Sequence, residues 1–489
     1  MKIFISFSKL LILLIIPTGY FLTKEFITEY NFSYFLLSLT SELLLFAILK
    51  KSFISIIYRI FNYIILTVIL LAYYIQFYFI LYVQSAEGLE IYRRFFYSQL
   101  DYENIDQNIL ITYSIITTCL LFVFILALNL FKYIFKDLNY KFDLDVYIRP
   151  KYKPNKLRKI KDYIVKNIFV ITCVSFLCLF LVEYFKIGTI YYAENKLPFR
   201  LGGIIFLTLK LLPILYLRTY HLCLLYKINY LSKITIFLYA VYCFSCSFIT
   251  TSRTYIFYFL FTMITYNLLI NRFKIKNLIL IVFSLFPVQI LTLAITNLRR
   301  SNFLSQIKVI TDESIFSLDY SETFFYLNNN IKFLFLIFSS LFRIQGSEPL
   351  MNILSAKNEI MNVNFWDGLI GLNTRLTTFY TINILNRDNF GTEFTPALIG
   401  SFFIIAKNLL LVLVLFFLYL IFWQTLINLL SKLNLRSFVV ILPFLYCLIL
   451  LLSQGAFQVV GFLLTISQFL LFFIPIEIEF LKIERSMNS

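Results

Sequence analysis

The segment RIQGSEPLMNILSAKNEIMNVNFWDGLIG (343–371) lies within the longest polar stretch, residues 299–396, of an otherwise apolar chain. This stretch is rich in both acidic residues and arginine, and it holds several of the chain's 12 glycines, including one in NFGTEFTP (389–396). Loops of this length inside a compact chain are usually either functional or disordered. Because the stretch is rich in aromatic and aliphatic residues and has no low-complexity run, we predict that it is folded.

The chain on either side of this stretch has the composition of a membrane protein. Of its 489 residues, 60% are hydrophobic and 14% are charged, whereas a soluble domain is roughly 45–50% apolar and about 25% charged. Continuous apolar runs recur, each about as long as the 20 residues that cross a bilayer as a helix. We therefore predict an all-α, polytopic integral membrane protein with about 12 transmembrane helices and one large outer, periplasmic loop.

The apolar runs divide the chain into three regions. Residues 1–296 hold nine predicted helices, residues 297–396 form the partly helical outer loop, and residues 397–489 hold three more helices and a tail. The first run has no small-residue cleavage site after it, so it is predicted to be a retained span. It ends near residue 21, and the other predicted spans are 32–49, 60–83, 108–131, 167–185, 201–217, 229–249, 254–270, 277–296, 397–422, 437–453 and 458–476.

The net charge of +17 reflects membrane topology rather than nucleic-acid binding. The excess cations lie in short loops on one side, above all in the loop 132–166, as the positive-inside rule requires. Both termini and this loop are therefore predicted to be cytoplasmic, and residues 299–396 periplasmic. For the basic loop we predict contact with anionic headgroups; the alternative is a nucleotide or regulatory site, although no glycine-rich phosphate loop supports it.

Cysteine and histidine usage limits the possible chemistry. All seven cysteines lie in predicted spans or at their ends, so a disulfide framework is not expected. Cys243 and Cys246 form a CxxC inside an apolar run, which we interpret as packing residues of a membrane helix. The only histidine, His221, falls in a predicted inner loop, 218–228, which excludes histidine metal sites and Ser-His-Asp triads from the outer face. We predict neither a cofactor nor a metal.

Three arginines are candidate phosphate ligands at the outer face. Arg253 lies in TTSRT (250–254), a tight turn between two predicted spans, where it either reaches the headgroups or faces a polar cavity. Arg299 and Arg300 end the span before the long loop. They either anchor that span or bind a lipid diphosphate, because a guanidinium makes bidentate contacts to phosphate.

Lys210 and Trp366 complete the candidates found from residue type and position. Lys210 lies deep in a predicted span, where it either pairs with Glu42 or binds a lipid phosphate. Trp366, with Phe365 and Tyr380, lies in the outer loop, where aromatic rings can stack on sugars. Within that loop the sequence also predicts an interfacial helix at 331–342 and a second helix at 347–361. Ser347 is predicted to cap the second helix, and Pro349 to lie in its first turn.

The arrangement of spans and motifs resembles the Wzy-type polymerases, which build O-antigen and related surface glycans. The shared features are about 12 spans, an SRT turn between consecutive helices, one large late outer loop, and the Thr-Pro-x-x-Ile-Gly re-entry TPALIG (395–400). The similarity is closest to the polymerases of enterobacterial common antigen and covers roughly residues 245–470. By position, Arg253 matches the turn arginine, and Arg343 and Glu348 match an arginine followed by a glutamate in the loop.

The resemblance implies a metal-independent glycosyltransferase in the bacterial inner membrane. Its substrates would be undecaprenyl-diphosphate-linked oligosaccharides, and its partners membrane lipids, a chain-length regulator and a flippase, without nucleic acid. In this chemistry Glu348, Arg253 and Arg343 are catalytic: a carboxylate takes a proton from the acceptor hydroxyl while cations steady the departing diphosphate. Arginine-and-glycine motifs of some members point to Arg375 as a further binding residue, although their spacing is not reproduced here.

Three other functions remain open at this stage. A lipid-linked oligosaccharide flippase also has about 12 spans, but it needs no folded outer loop of this size. An O-antigen ligase uses the same donor with lipid A core as the acceptor, and the lack of an outer histidine disfavours it. A non-enzymatic membrane scaffold is the third alternative.

Overall fold

The structure is a computed structural model, and it describes six continuous segments with a few residues beside them. The segments are 107–134, 154–185, 201–250, 346–371, 376–385 and 396–432, and the further residues are 65, 69, 72, 73, 255, 256, 259, 260, 263, 457–460, 462, 463, 466, 467 and 478. The predicted spans that end near residue 21 or lie at 32–49, 277–296 and 437–453, and the predicted helix 331–342, fall outside the described residues.

Within the described residues every regular element is helical, as predicted. The helices are α1 (Gln107–Ile134), α2 (Pro154–Phe185), α3 (Leu201–Leu225), α4 (Asn229–Ile249), α5 (Ser347–Ser355), α6 (Lys357–Ile360), α7 (Phe365–Ile370), α8 (Leu376–Phe379), α9 (Ala397–Ala406) and α10 (Leu409–Lys432). A π-helical turn, Tyr380–Ile384, directly follows α8.

Four described helices are long and apolar enough to cross a membrane, which supports the prediction of a helical membrane protein. The qualifying parts are Ile111–Phe131 in α1, Ile160–Phe185 in α2, Asn229–Ile249 in α4 and Leu409–Leu426 in α10. The apolar part of α3, Leu211–Leu224, is shorter. The remaining predicted spans are not tested by the described residues.

The chain forms two compact units. The first comprises residues 1–142, 341–434 and 447–468, and the second comprises residues 143–340, 435–446 and 469–489. In the first unit, α10 packs on α1 and α9, and α5 also packs on α1 and α9. In the second unit, α2, α3 and α4 pack on one another.

The predicted inner loop 218–228 is mostly helix. Helix α3 continues to Leu225, and a short connection centred on Lys227, which has a left-handed φ of 56°, leads into α4. The helix continues because Leu222 and Cys223 pack into a buried cluster with Ile160 and Ile164 of α2. Burial of these apolar side chains outweighs the local polarity that suggested a loop.

The predicted span 397–422 is interrupted rather than continuous. Helix α9 ends at Ala406, where Lys407 adopts a left-handed conformation with φ 58°. Its ammonium group donates a hydrogen bond to the Met361 carbonyl oxygen at 2.8 Å. The Asn408 side chain then accepts a hydrogen bond from the Leu410 backbone N–H at 2.8 Å, which caps the start of α10. Hydropathy alone does not register these two hydrogen bonds.

Candidate functional site

The buried helix α5 is the centre of the candidate site in the first unit. Residues 346–354 are all buried. Pro349 lies in the first turn, as predicted, but the prediction that Ser347 caps the helix is wrong: Gly346 occupies the cap position and Ser347 is the first helical residue. The predicted helix 347–361 is also interrupted, because Ala356 leaves the helical conformation between α5 and α6.

Ser347 turns its hydroxyl toward neighbouring elements instead of toward its own helix. It donates to the Ala72 carbonyl oxygen at 2.7 Å, and its oxygen lies 2.8 Å from the Tyr113 hydroxyl of α1. The Tyr73 carbonyl oxygen is a second acceptor for the Tyr113 hydroxyl. Because each hydroxyl carries one proton, two protons serve three acceptors, and the bonds tie α5, α1 and the Ala72–Tyr73 backbone together.

Gly346 is required by the closeness of these elements. A Cβ atom at this position would lie 2.9 Å from the Ala72 Cβ, 2.9 Å from the Ala72 carbonyl oxygen and 2.9 Å from the Tyr73 ring. Two of these three neighbours cannot rotate away, since one is backbone and one is a Cβ atom. The glycine of the sequence RIQGSEP (343–349) therefore allows the start of α5 to approach the Ala72–Tyr73 backbone.

Glu348 lies in the first turn of α5, with only 2% of its surface exposed. A buried carboxylate is costly unless its surroundings compensate the charge, and a helix N-terminus supplies part of that compensation. Asn352 follows four residues later on the same helical face. The Asn352 amide donates to the Tyr380 hydroxyl at 3.2 Å. The carboxyl group thus shares its face of α5 with a second buried polar pair.

Two π-helical segments contact the polar residues of α5, one at Ser347 and the other at Asn352. Ala72 and Tyr73, which accept from Ser347 and Tyr113, have π-helical backbone. Tyr380, which contacts Asn352, begins the second π-helical segment. Such turns are rare, and they occur frequently at functional sites. The Tyr73 side chain also shares a hydrogen bond with the Ile399 backbone, which brings α9 to the same place.

Residues 396–400 of the TPALIG motif form the start of α9, and they include a strained position. Ala397 is buried and has a φ of 56°, which is unfavourable for an L-residue with a Cβ. Its carbonyl oxygen accepts from the Ser401 hydroxyl at 2.6 Å. Gly400 lies against α5, where an added Cβ would be 2.6 Å from the Ile353 Cδ1. The motif thus serves the packing of α9 on α5, and Thr395 lies outside the described residues.

Trp366 is the most accessible of the predicted site residues that the structure describes. Its side chain is 64% exposed on α7, and its ring contacts Phe365 edge-on at a centroid distance of 5.2 Å. The helix is held by the Asn364 side chain, which accepts from the Trp366 backbone N–H at 3.0 Å. An exposed indole on a capped helix can stack on a sugar ring. Tyr380, by contrast, is fully buried, so its ring does not offer the stacking surface that the sequence suggested.

The other predicted site residues are not brought into the described site. Lys210 lies in α3, and its side chain is outside the described part. The predicted arginines all lie outside the described residues: Arg253, Arg299, Arg300, Arg343 and Arg375. Among the described side chains, no group of three or more His, Cys, Asp or Glu residues is placed to hold a metal ion.

Sequence reasoning missed the hydroxyl and amide partners of α5. Neither Tyr113 nor Asn352 belongs to a recognisable sequence motif. Tyrosine is so abundant, at 35 residues, that a single one in an apolar run does not indicate a functional position. Their roles depend on contacts between distant parts of the chain.

Comparison with known proteins identifies no relative of this chain. No protein-family model matches the chain, and no curated protein or solved structure is significantly similar to it.

Proposed function

We propose that the protein polymerises undecaprenyl-diphosphate-linked oligosaccharide repeat units during the synthesis of a surface polysaccharide, either O-antigen or a common antigen. The proposal rests on the Wzy-type motifs of the sequence and on one feature of the site. That feature is the burial of Glu348 in the first turn of α5, directly after Ser347, whose hydroxyl oxygen accepts from the Tyr113 hydroxyl. A buried ionisable group in a membrane protein is costly and points to a functional role.

The reaction is a transfer of the whole growing glycan to one new repeat unit. The non-reducing-end hydroxyl of the lipid-linked repeat attacks the anomeric carbon of the growing chain. The bond between that carbon and the diphosphate oxygen breaks, and undecaprenyl diphosphate leaves with the bonding electron pair. The hydroxyl proton passes to the Glu348 carboxylate, which acts as the general base. The new glycosidic bond keeps the polymer on the lipid of the incoming repeat.

The remaining candidates take supporting roles in this scheme. Arg253 and Arg343 stabilise the negative charge that develops on the leaving diphosphate. Arg299, Arg300, Arg375 and Lys210 bind the phosphates of the two lipid carriers. Trp366, which is exposed on α7, stacks on a sugar ring of the glycan. The site faces the periplasm of a bacterial inner membrane, with both termini in the cytoplasm.

Deletion of the gene, followed by electrophoresis of the surface glycan, tests the function. Loss of a polymerase leaves glycans with a single repeat unit, and expression of the wild-type chain restores the ladder of longer chains. Loss of a flippase leaves no repeat units at the surface, and loss of a ligase leaves polymer that is not attached to lipid A core. Either of these two patterns would overturn the proposal in favour of the corresponding activity.

A further inference from the structure

Helix α2 of the second unit is longer than a bilayer requires. It has 32 residues, which corresponds to about 48 Å, whereas the hydrocarbon core is about 30 Å thick. Its uncharged part is 167–182, and the residues before it include Arg158, Lys161 and Lys166. The excess length therefore lies at the N-terminal end, which extends out of the hydrocarbon core.

Exposed cations from α2, from the connection between α3 and α4, and from α4 gather at this end. Helices α2, α3 and α4 run in alternating directions, so the start of α2, the end of α3 and the start of α4 lie together. One buried hydrophobic cluster contains residues from all three of these ends. We call the cation surface formed there the basic end. Its exposed members are Arg158, Lys161, Lys166, Lys227 and Lys233.

Among the described residues, few opposite charges lie at this end. Asp162 is the only acidic residue at this end among the described residues, and it is itself exposed. Glu183, the other described acid of α2, lies near the opposite end of that helix. The described residues of the basic end therefore carry an excess of positive charge, which suits an anionic partner.

The cations are carried by packed helices rather than by a loose loop. Ile160, Ile164 and Ile168 of α2 form a buried cluster with Leu222 and Cys223 of α3. Arg158, Lys161 and Lys166 lie outside this cluster and are exposed. Nearby, Tyr230 of α4 is also exposed, in the manner of tyrosines at a membrane–water interface.

We propose that the basic end binds the headgroups of anionic phospholipids in the adjoining leaflet. The cations lie where the apolar part of α2 ends, which is the depth of the lipid phosphates. They are spread over two helices and a connection, an arrangement that suits an array of headgroups better than one small anion. Each cation near an anionic membrane surface strengthens binding by roughly fivefold, and salt weakens the effect.

A binding titration on the full-length chain in detergent tests the proposal. Fluorescently labelled phosphatidylglycerol is the probe, its anisotropy is the readout, and phosphatidylcholine and inorganic phosphate are the competitors. The test variant carries Lys161→Gln, Lys227→Gln and Lys233→Gln, and the matched control carries arginine at the same positions. We expect about 100-fold weaker binding in the glutamine variant, unchanged binding in the arginine variant, and loss of wild-type binding at high salt.

Three results would overturn the proposal. The first is competition by phosphatidylcholine as strong as that by unlabelled phosphatidylglycerol, and the second is wild-type binding by the glutamine variant. The third is displacement of the lipid by millimolar inorganic phosphate, which would indicate a small-anion site. Removal of these charges can also disturb insertion of the chain. If the triple variant does not accumulate, the pair Lys227→Gln and Lys233→Gln is used, with an expected loss of about 25-fold.

Discussion

The hydroxyl groups of Tyr113 and Ser347, which are 234 positions apart in the chain, lie 2.8 Å from each other in the buried interior of the first unit. This contact fixes the N-terminus of α5 against α1. Glu348 is the next residue, so the position of its carboxyl group depends on the same contact. Any role of Glu348 therefore depends on a bond that no short sequence motif contains.

Tyr113→Phe is expected to destabilise the first unit. The substitution removes one hydroxyl and leaves the buried Ser347 hydroxyl and the Tyr73 carbonyl with one partner fewer, a loss of about 1–3 kcal/mol in the free energy of unfolding. Denaturant unfolding in detergent measures it. Tyr133→Phe is the matched control, since Tyr133 lies on the same helix with 76% of its surface exposed. Equal stability of the two variants would show that the buried bond contributes nothing.

Gly346→Ala is expected to be more destabilising than Gly400→Ala. At Gly346 the new methyl group meets the Ala72 carbonyl oxygen, which is backbone, whereas at Gly400 it meets the Ile353 Cδ1, the mobile end of a side chain. Overpacking of the first kind costs about 1–3 kcal/mol. Combining Gly400→Ala with Ile353→Val, which removes the Cδ1, should recover stability. The order of the two single variants, measured by unfolding, decides the prediction, and the reverse order contradicts it.

The described helices show which parts of the fold hydropathy can predict. The span 229–249 coincides with α4 (Asn229–Ile249), because an apolar run of the right length has no competing local structure. The span 397–422 was wrong at Lys407, where a left-handed residue ends α9 and its ammonium group reaches the Met361 carbonyl 46 positions away. A hydropathy average cannot register a single backbone conformation or a distant hydrogen bond.

The sequence likewise predicted one part of the candidate site and not the other. Glu348 was found because it follows Arg343 within the loop, matching an arginine followed by a glutamate in the Wzy-type polymerases, which is a local signal. Its burial was not predicted, because it results from the packing of α5 on α1 and α9. The Asn352–Tyr380 pair was not predicted either, since hydrogen bonds between separate elements leave no periodic trace in the sequence.

Lys407→Gly is expected to be more stable than Lys407→Ala. Both variants lose the hydrogen bond from the ammonium group to the Met361 carbonyl, so that contribution cancels in the comparison. Only alanine retains a Cβ in the left-handed conformation, which costs roughly 1–2 kcal/mol relative to glycine. The free energies of unfolding of the two variants give the difference directly. If alanine proved equally stable, this position would not retain its left-handed conformation in the variants.

Cysteine labelling is expected to show opposite sides for two exposed residues. The predicted orientation puts Trp366 in the periplasm and Lys161 in the cytoplasm, and both side chains are exposed. In a background with all seven native cysteines replaced, a membrane-impermeant maleimide applied to cells with a permeabilised outer membrane should label Trp366→Cys but not Lys161→Cys. Labelling both after cell lysis is the control, and the reverse pattern in intact cells would invert the topology.

Glu348→Gln separates a general base from a carboxyl group that only complements a helix end. The amide is nearly isosteric but cannot take a proton at neutral pH, so a base role predicts a loss of polymerisation of about 10²–10⁴-fold with the protein still folded and inserted. Stabilisation of the α5 N-terminus, worth about 0.3–1 kcal/mol, predicts near-normal polymer.

The matched control for this substitution is Glu359→Gln, at an exposed carboxylate on the neighbouring helix α6. Polymer length on gels, normalised to the amount of membrane-inserted protein, measures both variants. We expect short glycans only for Glu348→Gln, because Glu348 is buried in the candidate site whereas Glu359 is exposed. A full ladder from Glu348→Gln would remove Glu348 as the base and make Glu393 and Asp367 the next carboxylates to substitute.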